Sequence, residues 1–353
     1  MTIEANTDYY KKGKIQTIEQ FTKENIIISN SSLRYLNKEE GGSIKRFQNF
    51  FLDNTDEEEY KHLTVGQLIH KYIDKPDLFI VAEVDKPTDM MCLWVNEVIK
   101  LVNTNQFEQI EVLDTILLSL EDAIVQAHKN TGVYSNMKKE DKILEKFNTE
   151  AKAYYDFITN PDNKGKELLT KEQKKLFDNI IPNLKQNTDI YRFLFQELFS
   201  PNCRIESEFE ISSYIRGYQV KCKMDKIIID YDNKTIWIID PKTTSKPINN
   251  FNQSIEKYHY YRQQQFYKIA VMNHYTDLIT DGYTVKFRFI AMETITPYEC
   301  KLIDIDELNW VEVASLELGV LFDELDNWFT TPVEKSTLTF GLSRDLNDKL
   351  KTI

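Results

Sequence analysis

Cysteine is scarce. The four present, Cys92, Cys203, Cys222 and Cys300, lie far apart and form no C-x-x-C pair of the kind that nucleates zinc or iron-sulfur sites. Reduced structural thiols are expected, and no iron-sulfur cluster. No stretch approaches the roughly 20 consecutive apolar residues that a membrane helix needs. The opening MTIEANTDYYKKGK lacks the apolar core of a secretory signal, so a cytoplasmic protein without a membrane partner is expected. Internal repeats and low-complexity tracts are also missing. Basic residues are outnumbered, 44 against 56, for a formal net charge of -12. That balance argues against a protein that coats nucleic acid, because phosphate neutralisation is the usual source of nonspecific affinity.

What is present suits a folded chain. With 353 residues and 41% hydrophobic content, a substantial core can form, in one elaborated domain or two small ones. The acid excess is uneven, since residues 216–268 hold ten Lys or Arg and five Asp or Glu. Such a local basic footprint is compatible with docking a polyanion at one site.

The pattern divides the chain into an N-terminal helical part over 1–200, a mixed core over 201–330 and a polar tail over 331–353. A short apolar run from Ile26 leads to Ser29-Asn30-Ser31-Ser32, which caps a helix carrying Leu33 and Leu36. Residues 53–61 read as an acidic exposed connector, and a second helix runs through Val65, Leu68, Ile69 and Tyr72. Residues 106–200 have helical spacing, with breaks expected near Asn130 to Gly132, at Asn160 to Gly165 and at Pro182. This block is read first as decoration of the fold; an interface or the wall of a substrate channel stays open. After Pro201, the segments RIESEFEISSYI, YQVKCKMDKIIID, TIWIIDPKTT and VKFRFIAME show strand-like alternation or β-branched runs. One long helix over Ser254 to His274 interrupts them. The expected fold is therefore mixed α/β (α+β): a central mixed sheet with a crossover helix and extensive N-terminal helical additions.

The chemistry concentrates in one hairpin. If Asp232-Asn233 centre its turn, paired residue numbers sum to 465, which sets Asp225 across from Asp240 with β-carbons about 5 Å apart. Lys242 follows on the same face. Opposed carboxylates repel, so a counter-charge is required, and a hard divalent cation fits two Asp side chains and the Pro241 carbonyl. Phosphodiester hydrolysis needs activated water, charge neutralisation and a nearby cation, the last a role for Lys242. Pro241 within a strand implies a bulge, an edge or a strand end. Glu206, Glu208 and Glu210 alternate on the preceding strand; any of them could complete a metal site, and Glu208 is favoured for its central position.

These residues resemble the PD-(D/E)xK nucleases, specifically the RecB-like and lambda-exonuclease-like group and most closely the RecE-type phage exonucleases. The matching motifs are Gly217-YQVKCKM-Asp225, then Asp240-Pro241-Lys242-Thr243-Thr244, then Tyr260-YR-Gln263-QQF-Tyr267. Ser31-Ser32-Leu33, Val65-Gly66-QLI-His70 and FRFIAMETITPYECKLIDID extend the likeness over roughly residues 26 to 328. The resemblance implies a restriction-endonuclease-like core and a magnesium-dependent DNA exonuclease, with manganese as a substitute. It implies Asp225 and Asp240 as metal ligands, His70 as a ligand or neighbour, and Lys242 as the residue that positions water. Gln263 and Tyr267, four apart on one helix face, would organise the site, and Lys223, Thr243, Thr244, Lys246 and Arg262 would meet DNA. Further implications are 5'-3' attack on double-stranded ends to leave 3' single strands, a ring-shaped homo-oligomer, a single-strand annealing recombination partner, and the cytoplasm of a bacterium or phage-infected cell. An endonuclease with the same centre and a catalytically silent DNA-binding relative are the alternatives.

Overall fold

The computed structural model describes residues 15, 20–52, 65–81, 84, 87–107, 118–163, 166–195, 201–308 and 310–330. The proposed acidic connector at 53–61 and the tail at 331–353 lie outside them. The chain divides into two compact units, Lys75–Asp178 and the remainder, Met1–Asp74 with Asn179–Ile353. The division thus falls at residues 74 and 178 and not at 200, because the His70 segment belongs with the sheet.

The Lys75–Asp178 unit is mainly helical. Its helices Asp89–Phe107, Leu120–Thr131, Glu140–Glu150 and Lys152–Thr159 enclose Trp94, Val98, Ala127 and Phe147, all fully buried. The indole of Trp94 donates to the Ile124 carbonyl at 3.0 Å, which satisfies its one polar group inside the core. Gly132, at φ 65°, caps the second of these helices, and Asn160 follows the end of the fourth, as the spacing predicts. Within the expected helical block, β1 (Phe79–Val81) pairs in parallel with β2 (Glu167–Leu169). Pro182 lies inside the helix Lys171–Gln186 and does not break it.

The other unit is built on a five-stranded mixed sheet in the order β3 (Cys203–Ile215), β4 (Tyr218–Asp230), β5 (Thr235–Thr244), β6 (Thr284–Glu293), β7 (Cys300–Ile303). Only the β5–β6 pair is parallel, and the crossover between them is helical, as such connections require. The one helix expected over Ser254 to His274 is two, Phe251–Lys257 and Tyr260–His274, separated by His259 at φ 50°, and a short helix, Thr276–Thr280, follows before β6. The strand β7 was not anticipated.

Consecutive residues Ile227 to Asp230 of β4 and Ile238 to Pro241 of β5 are buried, the mark of a sheet covered on both faces. Phe266, Ala270, Leu318 and Phe322, from the helices Tyr260–His274 and Trp310–Thr330, close one face with Ile236, Ile238 and Phe287. Each buried Leu, Ile or Phe among them contributes about 1.5–3 kcal/mol. The helices Val65–Asp74 and Thr188–Phe195 pack together, and Phe193 meets Trp237 of β5 at 5.0 Å. Ser29 caps the helix Asn30–Leu33 through a reciprocal box with Ser32.

Arg216 and Gly217 form the two-residue turn between β3 and β4, with φ of 52° and 81°. Positive φ at both central positions suits the right-handed strand twist. Gly217→Ala is expected to cost about 1–2 kcal/mol, since a Cβ in the left-handed region is strained whatever the space around it; urea unfolding of the two proteins checks this.

Candidate active site at a parting of two strands

The site lies where β4 and β5 separate. Their ladder runs from Asp230↔Thr235 to Lys226↔Ile239, which is the register in which residue numbers sum to 465. It stops one residue short of the Asp225–Asp240 pair. Beyond that point β5 pairs only with β6, through Pro241↔Ile290 as far as Thr244↔Glu293. Pro241, which has no N–H to donate, therefore sits where β5 no longer has β4 beside it.

The freed edge of β4 finds other partners. Ile28 bridges to it, donating its N–H to the Gln219 carbonyl at 2.9 Å and accepting from the Lys221 N–H at 2.8 Å. The hydroxyl of Tyr267 donates to the Lys223 carbonyl at 3.1 Å. Buried backbone groups need such replacements when a ladder ends.

On the opposite side of β4, Ser207↔Lys226 and Phe209↔Met224 pair, but Glu208 between them has left the ladder with φ 53°. That conformation costs of order 1–3 kcal/mol for a residue that is not glycine. It also removes Glu208 from a regular alternation with Glu206 and Glu210. Glu208 is exposed and ion-paired with Lys223, whereas Glu206 is held by Arg204 at 2.5 Å. Glu208, Asp225, Pro241 and His70 line one small cavity with Ile73, Asp74, Leu194 and Lys226. Its volume is about 10 Å³, near the lower limit for a single water molecule.

Burial governs the charges. Asp240, 4% exposed, has its pKa pushed up to about 6 by desolvation, against the pull of Lys242. Desolvation also raises Asp225. Burial works to lower Lys242, but Asp240 and Asp225 outweigh it and hold the ammonium above its ordinary value. Lys242 Nζ lies 2.6 Å from Asp240 Oδ2, a charge contact without good hydrogen-bond angles, while Gln263 Nε2 donates to Asp240 Oδ1 at 3.1 Å. Burial, followed by the Lys242 charge, lowers His70 to about 4. The ring is neutral near pH 7, so its 3.5 Å approach to Asp225 Oδ2 is not an ion pair. His70 Nε2 is buried and has no hydrogen-bond partner among the described residues. Such an imidazole nitrogen beside two carboxylates suits a divalent cation.

Two contributors were not anticipated. Lys226, 2% exposed, places its ammonium 2.8 Å from Asp74 Oδ1 and 2.7 Å from the Leu194 carbonyl, tying the His70 helix to β4 beside Asp225. Asp74 follows His70 by four residues, a spacing visible in the sequence, but nothing local marks Lys226 as its partner. Tyr260, already within the matched motif, places its ring 5.2 Å from Lys242 Nζ.

The residues expected to meet DNA divide. Lys246 and Lys223 are exposed and Thr243 is half-buried. Thr244 is buried, its hydroxyl accepting from the Lys246 N–H at 3.1 Å, so it shapes the end of β5. Arg262 is the clear correction: at 2% exposure its guanidinium donates to Glu40 at 2.6 Å, Glu317 at 2.7 Å and Asn30 at 3.3 Å. Ligating atoms of Glu40, His259 and Glu317 gather within 4.8 Å of one another, but the cation this group holds is Arg262.

No family model matches the chain, and no curated protein matches it. Among solved structures, a candidate exonuclease from Eubacterium rectale is 12% identical and covers 97% of both chains, with a TM-score of 0.41. A second, the protein SSO0001, is 14% identical over 63% of this chain and 85% of its own, with a TM-score of 0.20. At these scores neither likeness bears on what this chain does.

Removing the Arg262 charge strands Glu317 in the interior. Arg262→Leu is expected to lose about 3–5 kcal/mol of stability, measured by chemical denaturation; a loss under 1 kcal/mol would contradict the structural role.

Proposed function

We propose that this protein is a metal-dependent deoxyribonuclease, an exonuclease that hydrolyses phosphodiester bonds at the ends of linear double-stranded DNA. The observation that carries the reading is the convergence of Asp225, Asp240 and Lys242 where β4 parts from β5, with an imidazole nitrogen beside them that has no partner among the described residues.

Asp225 and Asp240, with His70, Glu208 and the Pro241 carbonyl, would hold magnesium or manganese. Bound there, the ion would supply activation of water and neutralisation of the scissile phosphate. The side chains do the rest of the work. Lys242, kept protonated by two carboxylates, presents a fixed positive charge to the phosphate or the attacking water. Gln263 fixes the orientation of the Asp240 carboxylate through its amide. Tyr267 holds the helix against the free edge of β4, so Gln263 and the carboxylates keep their spacing. Exposed Lys246 supplies local positive charge for a DNA backbone. Attack in the 5'-3' direction, assembly into a ring and cooperation with a single-strand annealing protein follow from the family resemblance.

The deciding assay offers end-labelled linear duplex and covalently closed circles to the full chain, with magnesium or with EDTA. Linear DNA is expected to shorten from its ends with magnesium alone, while circles survive. Asp240→Ala and Lys242→Ala, folded by circular dichroism, are expected to be slower by at least about 100-fold. Cutting of circles would reassign the centre to an endonuclease, and inertness with every divalent metal would remove the nuclease reading. His70→Ala is expected to weaken manganese binding by about 10–100-fold in titration calorimetry; unchanged affinity would exclude His70 from the metal site.

A further inference from the structure

Near Lys242 lies a cluster of aromatic rings, one of which, Tyr258, is half exposed. Lys242 Nζ lies 5.2 Å from the centroid of Tyr260 and 5.9 Å from that of Phe289. Tyr260 packs on Phe289 at 5.5 Å and on Phe251 at 6.0 Å. Tyr258 also meets Tyr260, at 5.6 Å and an interplanar angle of 31°. Phe251 and Phe289 are buried, yet Tyr258 is 52% exposed.

The backbone enforces that exposure. The helix Phe251–Lys257 ends at Tyr258, and His259 turns the chain through φ 50°. His259 is itself anchored inside, its Nδ1 lying 3.1 Å from Glu317 Oε2 and 2.8 Å from the Tyr261 hydroxyl. His259 is buried and Tyr258 before it is exposed. Exposed Lys257 adds a cation 5.1 Å from the Tyr258 ring.

We propose that Tyr258 is a stacking platform for an unpaired nucleobase at the end of a DNA strand, one ring removed from the Tyr260–Lys242 contact. The inference rests on the nuclease reading and names the form of substrate that the site takes. A base inside a duplex is covered on both faces by its neighbours, whereas an unpaired base offers a free face to an aromatic ring and a backbone phosphate to an adjacent lysine. The platform therefore favours strand ends that are frayed or already single-stranded, and it does so without regard to sequence because every base has such a face.

The test measures binding of fluorescent duplexes carrying three unpaired nucleotides at the 5' or the 3' end, by anisotropy, with calcium in place of magnesium. In matched probes one unpaired nucleotide at a time is made abasic. The wild-type chain is expected to bind the intact end roughly tenfold more tightly than the probe lacking the stacked base. Tyr258→Ala should lose that discrimination, and Tyr258→Trp should keep it. If Tyr258→Ala discriminates as the wild type does, the platform is overturned while the nuclease reading stands. If the wild type binds DNA and cleaves it but ignores abasic substitution at every unpaired position, the platform is likewise overturned. If the wild type neither binds nor cleaves any DNA, the nuclease reading fails and the platform falls with it.

Discussion

The arrangement depends on one electrostatic conflict. Asp225 and Asp240 occupy register-equivalent positions on adjacent strands, and the Asp225 charge acts on Asp240 in a poorly solvated setting where like charges repel. The ladder ends at Lys226↔Ile239, before the pair would form. Everything nearby accommodates that ending: a proline where β5 has no antiparallel neighbour, the bridge from Ile28, a tyrosine hydroxyl on the Lys223 carbonyl, and an ammonium against Asp240. The cleft thus opens where two like charges would otherwise face each other across a continuing ladder.

Burial then sets the character of each group in the cleft. Desolvation raises both aspartates and lowers His70, leaving the carboxylates under-compensated and the imidazole neutral. A surface pair of aspartates would have water to relieve it and little reason to recruit a cation. The acid excess elsewhere is partly engaged in structure, with Arg216 meeting Asp323 and Asp326, and Lys234 meeting Asp281. Net charge is therefore a poor guide to the potential inside the cleft.

Much of the sheet was legible in the sequence because its signals are local. The runs over 218–230 and 235–244 are bounded by turn residues, and their centre at Asp232-Asn233 yields the observed register. The failures are nonlocal. The kink at His259 depends on Glu317, which follows it by 58 residues, and no neighbouring residue announces the break. Pro182 stays helical within a longer pattern that overrides it. Arg262 was read as a surface cation because a sequence displays charge but not depth. Lys226 escaped notice for the same reason, since only the fold reveals that it meets Asp74 and the Leu194 carbonyl.

Arg262 and Gln263 are successive residues on one helix and face different surroundings, the first a buried cluster of acids and the second the Asp240 carboxylate. A flat guanidinium gripping Glu40, Glu317 and Asn30 at once acts as a rotational stop as well as a counter-charge. Lysine at this position would preserve the charge and surrender the fork, freeing the helix to roll. The angle at which the amide of Gln263 meets its carboxylate is in this way fixed from an adjacent face of the helix, by residues that never enter the cleft.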